Sequence, residues 1–236
     1  MSALALAVLP PTSLYAQSAA PATAATPVAA KKPQGPARWE ADIAAFEKAD
    51  AANPPKKGGI VFVGSSSIRM WRTLKEDFPK HNVINRGFGG SQMSDSVHFA
   101  DRIVIPYEPR KIFVYAGAND ISSKRTPEAV AADFKEFVEK VRAKLPNVEI
   151  AFISIAGNIA RWNQVEQVKK ANELVREYCQ TVPKVTYIDV FSEMLGADGL
   201  PKPEIFIKDR LHMNAEGYKI WTEVIGKHLG APDVES

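Results

Sequence analysis

The chain has 236 residues, of which 45% are hydrophobic and 24% charged, a composition sufficient for one globular domain with a sizeable core. Its net charge of +3 is small, and no basic run is interleaved with aromatic residues, which argues against a nucleic-acid partner. The single cysteine, Cys179, forbids an internal disulfide, and its place in an apolar stripe of helical spacing predicts a buried, unreactive thiol.

The first 36 residues differ in composition from the rest. Residues 1–18 contain a short apolar run, two prolines and a small-residue stretch, and they resemble a secretory signal peptide without its usual basic start. The apolar run is too short to span a bilayer. Residues 19–36 are rich in Ala and Pro and predict a linker, and residues 37–236 form the predicted domain. We therefore expect a periplasmic or secreted protein; the alternative is a cytoplasmic protein with a disordered tail.

From residue 38 onward, helical and strand-like patterns alternate. Helical spacing of apolar residues predicts helices over 38–52, 68–78, 94–103, 127–145, 163–182 and 215–229. Short runs of β-branched and aromatic residues predict strands over 60–63, 83–85, 112–115, 149–155 and 185–190. Strands that alternate with helices indicate a parallel sheet covered on both faces. The expected fold is one three-layer α/β/α domain.

The most informative segment is the first strand together with the turn after it. The strand ends at Gly64, and Ser65, Ser66 and Ser67 then lead into a helical pattern. A hydroxyl at this turn lies at the start of a helix, where free backbone N–H groups and the helix dipole favour negative charge. That position suits a nucleophilic serine, whose tetrahedral intermediate carries an oxyanion. Serines also cap helices, so this segment alone leaves both interpretations open.

Three other polar segments are predicted at the same edge of the sheet, outside the carboxyl ends of the strands. A glycine-rich loop, 85–91, follows the second strand, Asn119 and Asp120 follow the third, and Asp209 and His212 precede the last helix. Each segment alone is more typical of a turn or of the protein surface. Together they supply a hydroxyl, an imidazole, a carboxylate, an amide and exposed backbone N–H groups. Acyl transfer by a serine hydrolase requires this set.

These four blocks resemble, in order and spacing, the SGNH/GDSL hydrolase superfamily, in particular its bacterial lipase/esterase-like and platelet-activating-factor-acetylhydrolase-like members. The resemblance implies a flavodoxin-like sheet of five parallel strands. It also implies that Ser66 is the nucleophile, His212 the general base and Asp209 its acidic partner. The oxyanion hole would comprise the backbone N–H groups of Ser66 and Gly90 and the side-chain amide of Asn119. The implied activity is carboxylic ester hydrolysis without a metal or cofactor.

One position departs from the family pattern. The aspartate that usually precedes the nucleophile is Ser65 in this chain. That aspartate is not the acid of the triad, so the chemistry is expected to survive. The substitution affects the hydrogen bonding of the turn and leaves Ser65 and Ser67 as weaker alternatives to Ser66.

Arg161 and Trp162 follow the fourth predicted strand and are candidate substrate-binding residues. Arginine would bind an anionic group, and tryptophan would stack on an apolar or sugar face. The alternative is a packed tryptophan beside a solvated arginine. The expected substrate is a small-molecule or saccharide ester, and a short acyl group is preferred among several possible lengths. The alcohol and the oligomeric state stay open.

Two rival functions remain. Metal-dependent hydrolysis would use Asp95, Asp120, Asp209 and His212, but the chain has only four histidines and no His-Glu-x-x-His motif. The second rival is a non-catalytic carbohydrate-binding or scaffold protein that retains the hydrolase fold.

Overall fold

The computed structural model describes Met1 and residues 35–233. The chain divides into two units, Met1–Lys32 and Pro33–Ser236. The predicted signal peptide, apart from Met1, and most of the predicted linker lie outside the described residues, so both remain predictions. Among the described residues, no helix has the length and apolar character needed to cross a membrane.

Five parallel strands form one sheet in the order β2-β1-β3-β4-β5. The strands are β1 Ile60–Gly64, β2 Val83–Gly87, β3 Lys111–Tyr115, β4 Glu149–Ile153 and β5 Val185–Ile188. Strand β1 lies between β2 and β3, with Ile60 opposite Val83 on one side and Lys111 on the other. The chain changes direction across the sheet at β1, and in such sheets a crevice for ligands opens at this switch point. The predicted five-stranded, flavodoxin-like sheet is confirmed.

Helices cover both faces of the sheet. They are α1 Glu40–Ala52, α2 Ser66–Arg69, α3 Leu74–Asp77, α4 Met93–Ile103, α5 Ala118–Ser122, α6 Pro127–Arg142, α7 Val165–Thr181 and α8 Ala215–Gly226. One apolar cluster joins α1, α4, α6 and α7 to one face, and a second joins α2, α3 and α8 to the other. Every residue of β1 and β3 is buried, as expected for strands packed on both faces. The three-layer α/β/α architecture is therefore confirmed.

The predicted helix 68–78 is wrong, because the segment forms the two short helices α2 and α3. The side-chain amide of Asn85 donates to the carbonyl oxygen of Ile68 at 2.6 Å and so takes an acceptor that a continuing helix would use. The indole N–H of Trp71 donates to Asp77 Oδ2 at 2.6 Å, which fixes the buried ring between the two helices. Contacts from the neighbouring strand thus override the helical pattern of this segment.

Two other segments differ in detail from the helices predicted from the sequence. Helix α7 begins at Val165 and is preceded by a 3₁₀ turn over Ile159–Gln164, whereas the sequence predicted a helix from residue 163. Helix α5 was not predicted, because its five residues are too few to show helical periodicity. Cys179 lies buried in α7, as predicted, and its burial raises the pKa of the thiol to about 12.

Gly64 makes a testable contribution to the turn after β1. Its φ is +144°, and a Cβ added there would lie 1.9 Å from the carbonyl oxygen of Tyr115. Gly58 also has a positive φ, +78°, but a Cβ there would meet no atom within 4 Å. We expect Gly64→Ala to lower the free energy of unfolding by about 3 kcal/mol or more, and Gly58→Ala by about 1 kcal/mol. Denaturant titration measures both values, and equal losses would contradict the close approach of Tyr115.

Candidate active site

The predicted site residues converge on one cavity at the carboxyl ends of the strands. Ser66 begins α2 directly after β1, Gly90 lies in the loop between β2 and α4, and Asn119 lies in α5 after β3. His212 lies in the loop before α8. These four residues line a cavity of about 310 Å³, and Asp209 lies behind His212.

A chain of hydrogen bonds joins Ser66, His212 and Asp209. Nε2 of His212 lies 2.9 Å from Oγ of Ser66, although the two residues are 146 positions apart. Nδ1 of the same ring lies 2.6 Å from Oδ2 of Asp209. A carboxylate accepts only, so Nδ1 donates to Asp209 and the neutral ring presents the lone pair of Nε2 to the Ser66 hydroxyl. This tautomer is the one in which histidine can accept a proton from serine.

The acidic residue is held by the loop that carries it. Oδ1 of Asp209 accepts hydrogen bonds from the backbone N–H groups of Leu211 and His212, each at 2.9 Å. Burial acts to raise the pKa of Asp209, but the hydrogen bonds from the His212 side chain and these two N–H groups outweigh it and lower the pKa to about 2. Asp209 is therefore ionised at neutral pH and favours the orientation of the imidazole described above.

The three consecutive serines have different surroundings. Ser65 is buried, and its backbone N–H donates to the carbonyl oxygen of Tyr115 at 3.0 Å. Ser67 is held by a tyrosine, since its carbonyl oxygen accepts from the Tyr218 hydroxyl at 2.8 Å. Among the three serines, Ser66 is the one hydrogen-bonded to His212.

Two residues of the cavity lining, Ser66 and Gly90, carry backbone N–H groups without a hydrogen-bond partner among the described residues. The N–H of Ser66 belongs to the first turn of a helix, where backbone donors lack helical partners. Gly90 has a φ of +79°, and a Cβ there would approach the Trp39 ring to 3.2 Å. Glycine thus allows the backbone to take this conformation beneath the tryptophan.

The side-chain amide of Asn119 is oriented at both ends. Nδ2 donates to the carbonyl oxygen of Ser91 at 3.0 Å, and Oδ1 accepts from Nη1 of Arg161 at 3.1 Å. A guanidinium has no acceptor and a carbonyl has no donor, so the reversed amide would lose both hydrogen bonds. Nδ2 carries two hydrogens, of which Ser91 takes one. No hydrogen bond among the described residues uses the second.

The residue after Asn119 anchors α5 to the start of α4. The carboxylate of Asp120 is fully buried, accepts from the backbone N–H of Met93 at 3.1 Å and pairs with Arg125 at 3.0 Å. Burial raises the pKa of Asp120 to about 6, against the opposing effects of the Met93 N–H and Arg125. Asp120 is thus a structural group that fixes the position of Asn119.

The two predicted substrate-binding residues have different surroundings. Arg161 lines the cavity, where Nη1 also donates to the carbonyl oxygen of Ala118 at 3.2 Å. Trp162 does not belong to the described cavity lining; its ring stacks on Phe191 with centroids 6.5 Å apart and packs against an apolar cluster. The placement of Trp162 corresponds to the packed alternative rather than to a substrate contact.

Sequence reasoning missed several residues of the cavity wall. Trp39, Asp42 and Arg69 line the cavity. Trp39 and Asp42 belong to the N-terminal helical segment, which gives no sequence signal of proximity to the site. Apolar side chains also line it, among them Met194, Phe206 and Met213.

The carboxylates of the metal-dependent alternative have other partners. Asp95 accepts from the backbone N–H of Gln92 at 2.8 Å and closes a capping box at the start of α4, and Asp120 pairs with Arg125. Among the described residues, no group of three or more His, Cys, Asp or Glu side chains is arranged to hold a metal ion.

The chain resembles solved structures over most of its length. A GDSL-like lipase from Bacteroides thetaiotaomicron superposes with a TM-score of 0.70 at 20% identity, covering 80% of this chain and 97% of that one. A Streptococcus pneumonia protein, provisionally described as a platelet activating factor, gives 0.73 at 21% identity, with 82% and 94% covered. A catalytic mutant of an acetylxylan esterase from Geobacillus stearothermophilus gives 0.59 at 16% identity, with 77% and 98% covered. None of the curated proteins compared with the chain matches it.

The family model described as GDSL-like Lipase/Acylhydrolase matches residues 60–220, which include the segments from β1 to the start of α8. The chain therefore belongs to the GDSL-like lipase/acylhydrolase family. It is a carboxylic ester hydrolase of the SGNH/GDSL type, as predicted.

The raised pKa of Asp120 predicts a pH-dependent stability. Between about pH 4 and pH 6 this group binds more protons in the folded protein than in the unfolded chain, so the free energy of unfolding falls as pH rises through this interval. Over this interval Asp120 lowers the free energy of unfolding by at most about 3 kcal/mol. We expect the fall to be smaller in Asp120→Asn, as measured by urea titrations at a series of pH values. Equal slopes in the two proteins would contradict the raised pKa.

Proposed function

We propose that the protein hydrolyses short-acyl carboxylic esters through a Ser66-His212-Asp209 triad and an acyl-enzyme intermediate. The observation that carries this proposal is the 2.9 Å contact between Nε2 of His212 and Oγ of Ser66. The ionised Asp209 on the other ring nitrogen complements it. Membership of the lipase/acylhydrolase family supports the same reaction class.

In the first step, His212 removes the proton from Ser66 as Oγ attacks the ester carbonyl carbon. Asp209 stabilises the imidazolium that forms. The tetrahedral intermediate then collapses, the bond to the alcohol oxygen breaks, and His212 gives its proton to the departing alcohol. The acyl group remains on Ser66 as an ester. Water, deprotonated by the same histidine, hydrolyses this ester and regenerates the serine.

The oxyanion of each tetrahedral intermediate is assigned to three donors. These are the backbone N–H groups of Ser66 and Gly90 and the Nδ2 group of Asn119, on residues that all line the cavity. Donors that are already oriented stabilise the developing charge without reorganisation, and the loss of one typically costs about 100- to 1000-fold in kcat.

The cavity supports a small substrate with a polar alcohol. Its volume of about 310 Å³ is at the lower end for ligand sites. Met194, Phe206 and Met213 in the lining suit a short acyl chain, and Trp39 and Asp42 suit a hydroxylated group such as a sugar. One structural relative is described as an acetylxylan esterase. We propose acetylated saccharides as substrates, met in the periplasm or outside the cell. A hydrolysis screen across acyl lengths and acetylated saccharides tests this choice.

Replacing the proposed nucleophile and one oxyanion donor separates their roles. We expect Ser66→Ala to lose nearly all turnover of an aryl acetate, roughly a millionfold in kcat, because no acyl-enzyme forms. Asn119→Ala is expected to retain measurable turnover, with kcat reduced by about 100- to 1000-fold. Steady-state kinetics on both variants measure the difference. Equal residual activities would contradict the assignment of roles.

Covalent labelling separates a serine hydrolase from the two rival functions. A fluorophosphonate is expected to label the folded protein at Ser66 because the activated hydroxyl attacks phosphorus, and Ser66→Ala is expected to stay unlabelled. Peptide mass mapping locates the adduct. Folded wild-type protein without an adduct would favour the non-catalytic binding protein, and turnover of an aryl acetate that a chelator abolishes would favour metal-dependent hydrolysis.

A further inference from the structure

Arg161 lies in a backbone segment of unusual conformation. It belongs to the 3₁₀ turn Ile159–Gln164 that follows β4, and its φ of −126° and ψ of 25° interrupt the helical conformation. The backbone N–H of Arg161 donates to Oδ1 of Asn158 at 2.9 Å. Asn158 is itself nearly buried and lines the cavity. The backbone of Arg161 is therefore held so that its side chain extends towards α5.

The guanidinium of Arg161 contacts two consecutive residues of α5. Nη1 donates to the carbonyl oxygen of Ala118 at 3.2 Å and to Oδ1 of Asn119 at 3.1 Å. Both acceptors are on the element that supplies the Asn119 amide. A guanidinium carries donors alone, so it selects the oxygen of the amide and turns the NH₂ group away.

We propose that Arg161 is a positioning residue that keeps the NH₂ group of Asn119 directed at the oxyanion; this rests on the proposed function. Without Arg161, Oδ1 of Asn119 loses its donor. The amide is then held by one hydrogen bond alone, from Nδ2 to the carbonyl oxygen of Ser91, and an orientation with its oxygen towards the cavity repels the oxyanion. Arg161 acts on catalysis through Asn119 and makes no contact with the reacting atoms.

The same 3₁₀ turn also holds the loop of the acid and base. The backbone N–H of Ala160 donates to the carbonyl oxygen of Arg210 at 3.1 Å, and Arg210 lies between Asp209 and His212 with a φ of +58°. Adjacent residues of one turn therefore contact the loop of His212 and the amide of Asn119. The turn thus links the loop that carries Asp209 and His212 to the helix that carries Asn119.

This assignment differs from the substrate-binding role expected from the sequence, in which Arg161 binds an anionic group of the substrate. The two roles predict different kinetics. An arginine that binds substrate affects the KM of anionic esters selectively. An arginine that orients Asn119 affects kcat for every ester and has no effect once Asn119 is absent.

The test is a double-mutant cycle that combines Arg161→Met with Asn119→Ala. The substrates are an aryl acetate, which is uncharged, and a monoaryl succinate, which carries a carboxylate in its acyl group. Arg69→Met is the matched control, since Arg69 lines the same cavity and no hydrogen bond within residues 35–233 joins it to Asn119. Thermal melting verifies that each variant is folded.

We expect Arg161→Met to lower kcat about 10- to 100-fold on both esters, with KM changed less than about threefold, because one oxyanion donor is misoriented. In the Asn119→Ala background, the same change is expected to lower kcat less than about twofold. Arg69→Met is expected to change kcat by the same factor in both backgrounds.

Either of two results overturns the proposal: a full effect of Arg161→Met in the Asn119→Ala background, or a loss confined to the KM of the succinate ester. If Arg161→Met does not fold, Arg161→Leu replaces it, since leucine likewise offers no donor to Oδ1 of Asn119. The same coupling to Asn119→Ala supports the proposal and its absence overturns it. Turnover by Ser66→Ala would refute the proposed function itself, independently of the behaviour of Arg161.

Discussion

The proposed catalytic site depends on one hydrogen bond, between Nε2 of His212 and Oγ of Ser66. It joins the start of α2 to a loop 146 residues later, so neither segment can form the site alone. The parallel sheet makes the contact possible, because β1 ends at the turn that carries Ser66 and the chain returns to the same edge after β5. Asp209 completes the arrangement by fixing the tautomer of the ring between them.

Two structural features keep this contact in place. Beneath it, the buried strands β1 and β3 are packed on both faces, and Gly64 lets the chain turn against the carbonyl oxygen of Tyr115. Beside it, polar side chains connect the loops: Asp120 ties α5 to α4, and Arg161 ties the 3₁₀ turn after β4 to α5. The helix that carries Asn119 is thus fixed by charged groups, and the turn that carries Ser66 by apolar packing.

Much of the fold was predictable from the sequence, because doubly buried strands are short apolar runs and the helices between them carry strong periodicity. The five strands were placed to within two residues at each end. The proposed catalytic residues were predicted from polar motifs at the strand ends, together with the roles that the family resemblance implies, and the structure places these motifs at one edge of the sheet. The break in the helix 68–78 was not predictable, since it depends on Asn85 of a neighbouring strand. The contact of Arg161 with Asn119 and the position of Trp39 over Gly90 likewise depend on packing between distant elements.

Mass spectrometry of the intact protein tests the role of Ser66 directly, when it is recorded during turnover of an ester whose acyl-enzyme hydrolyses slowly. Peptide mapping then locates the acyl group. We expect one acyl group, carried by Ser66 and absent from Ser65 and Ser67, because Ser66 is the serine in contact with His212. Turnover with the acyl group on another residue would contradict the assignment of Ser66 as the nucleophile.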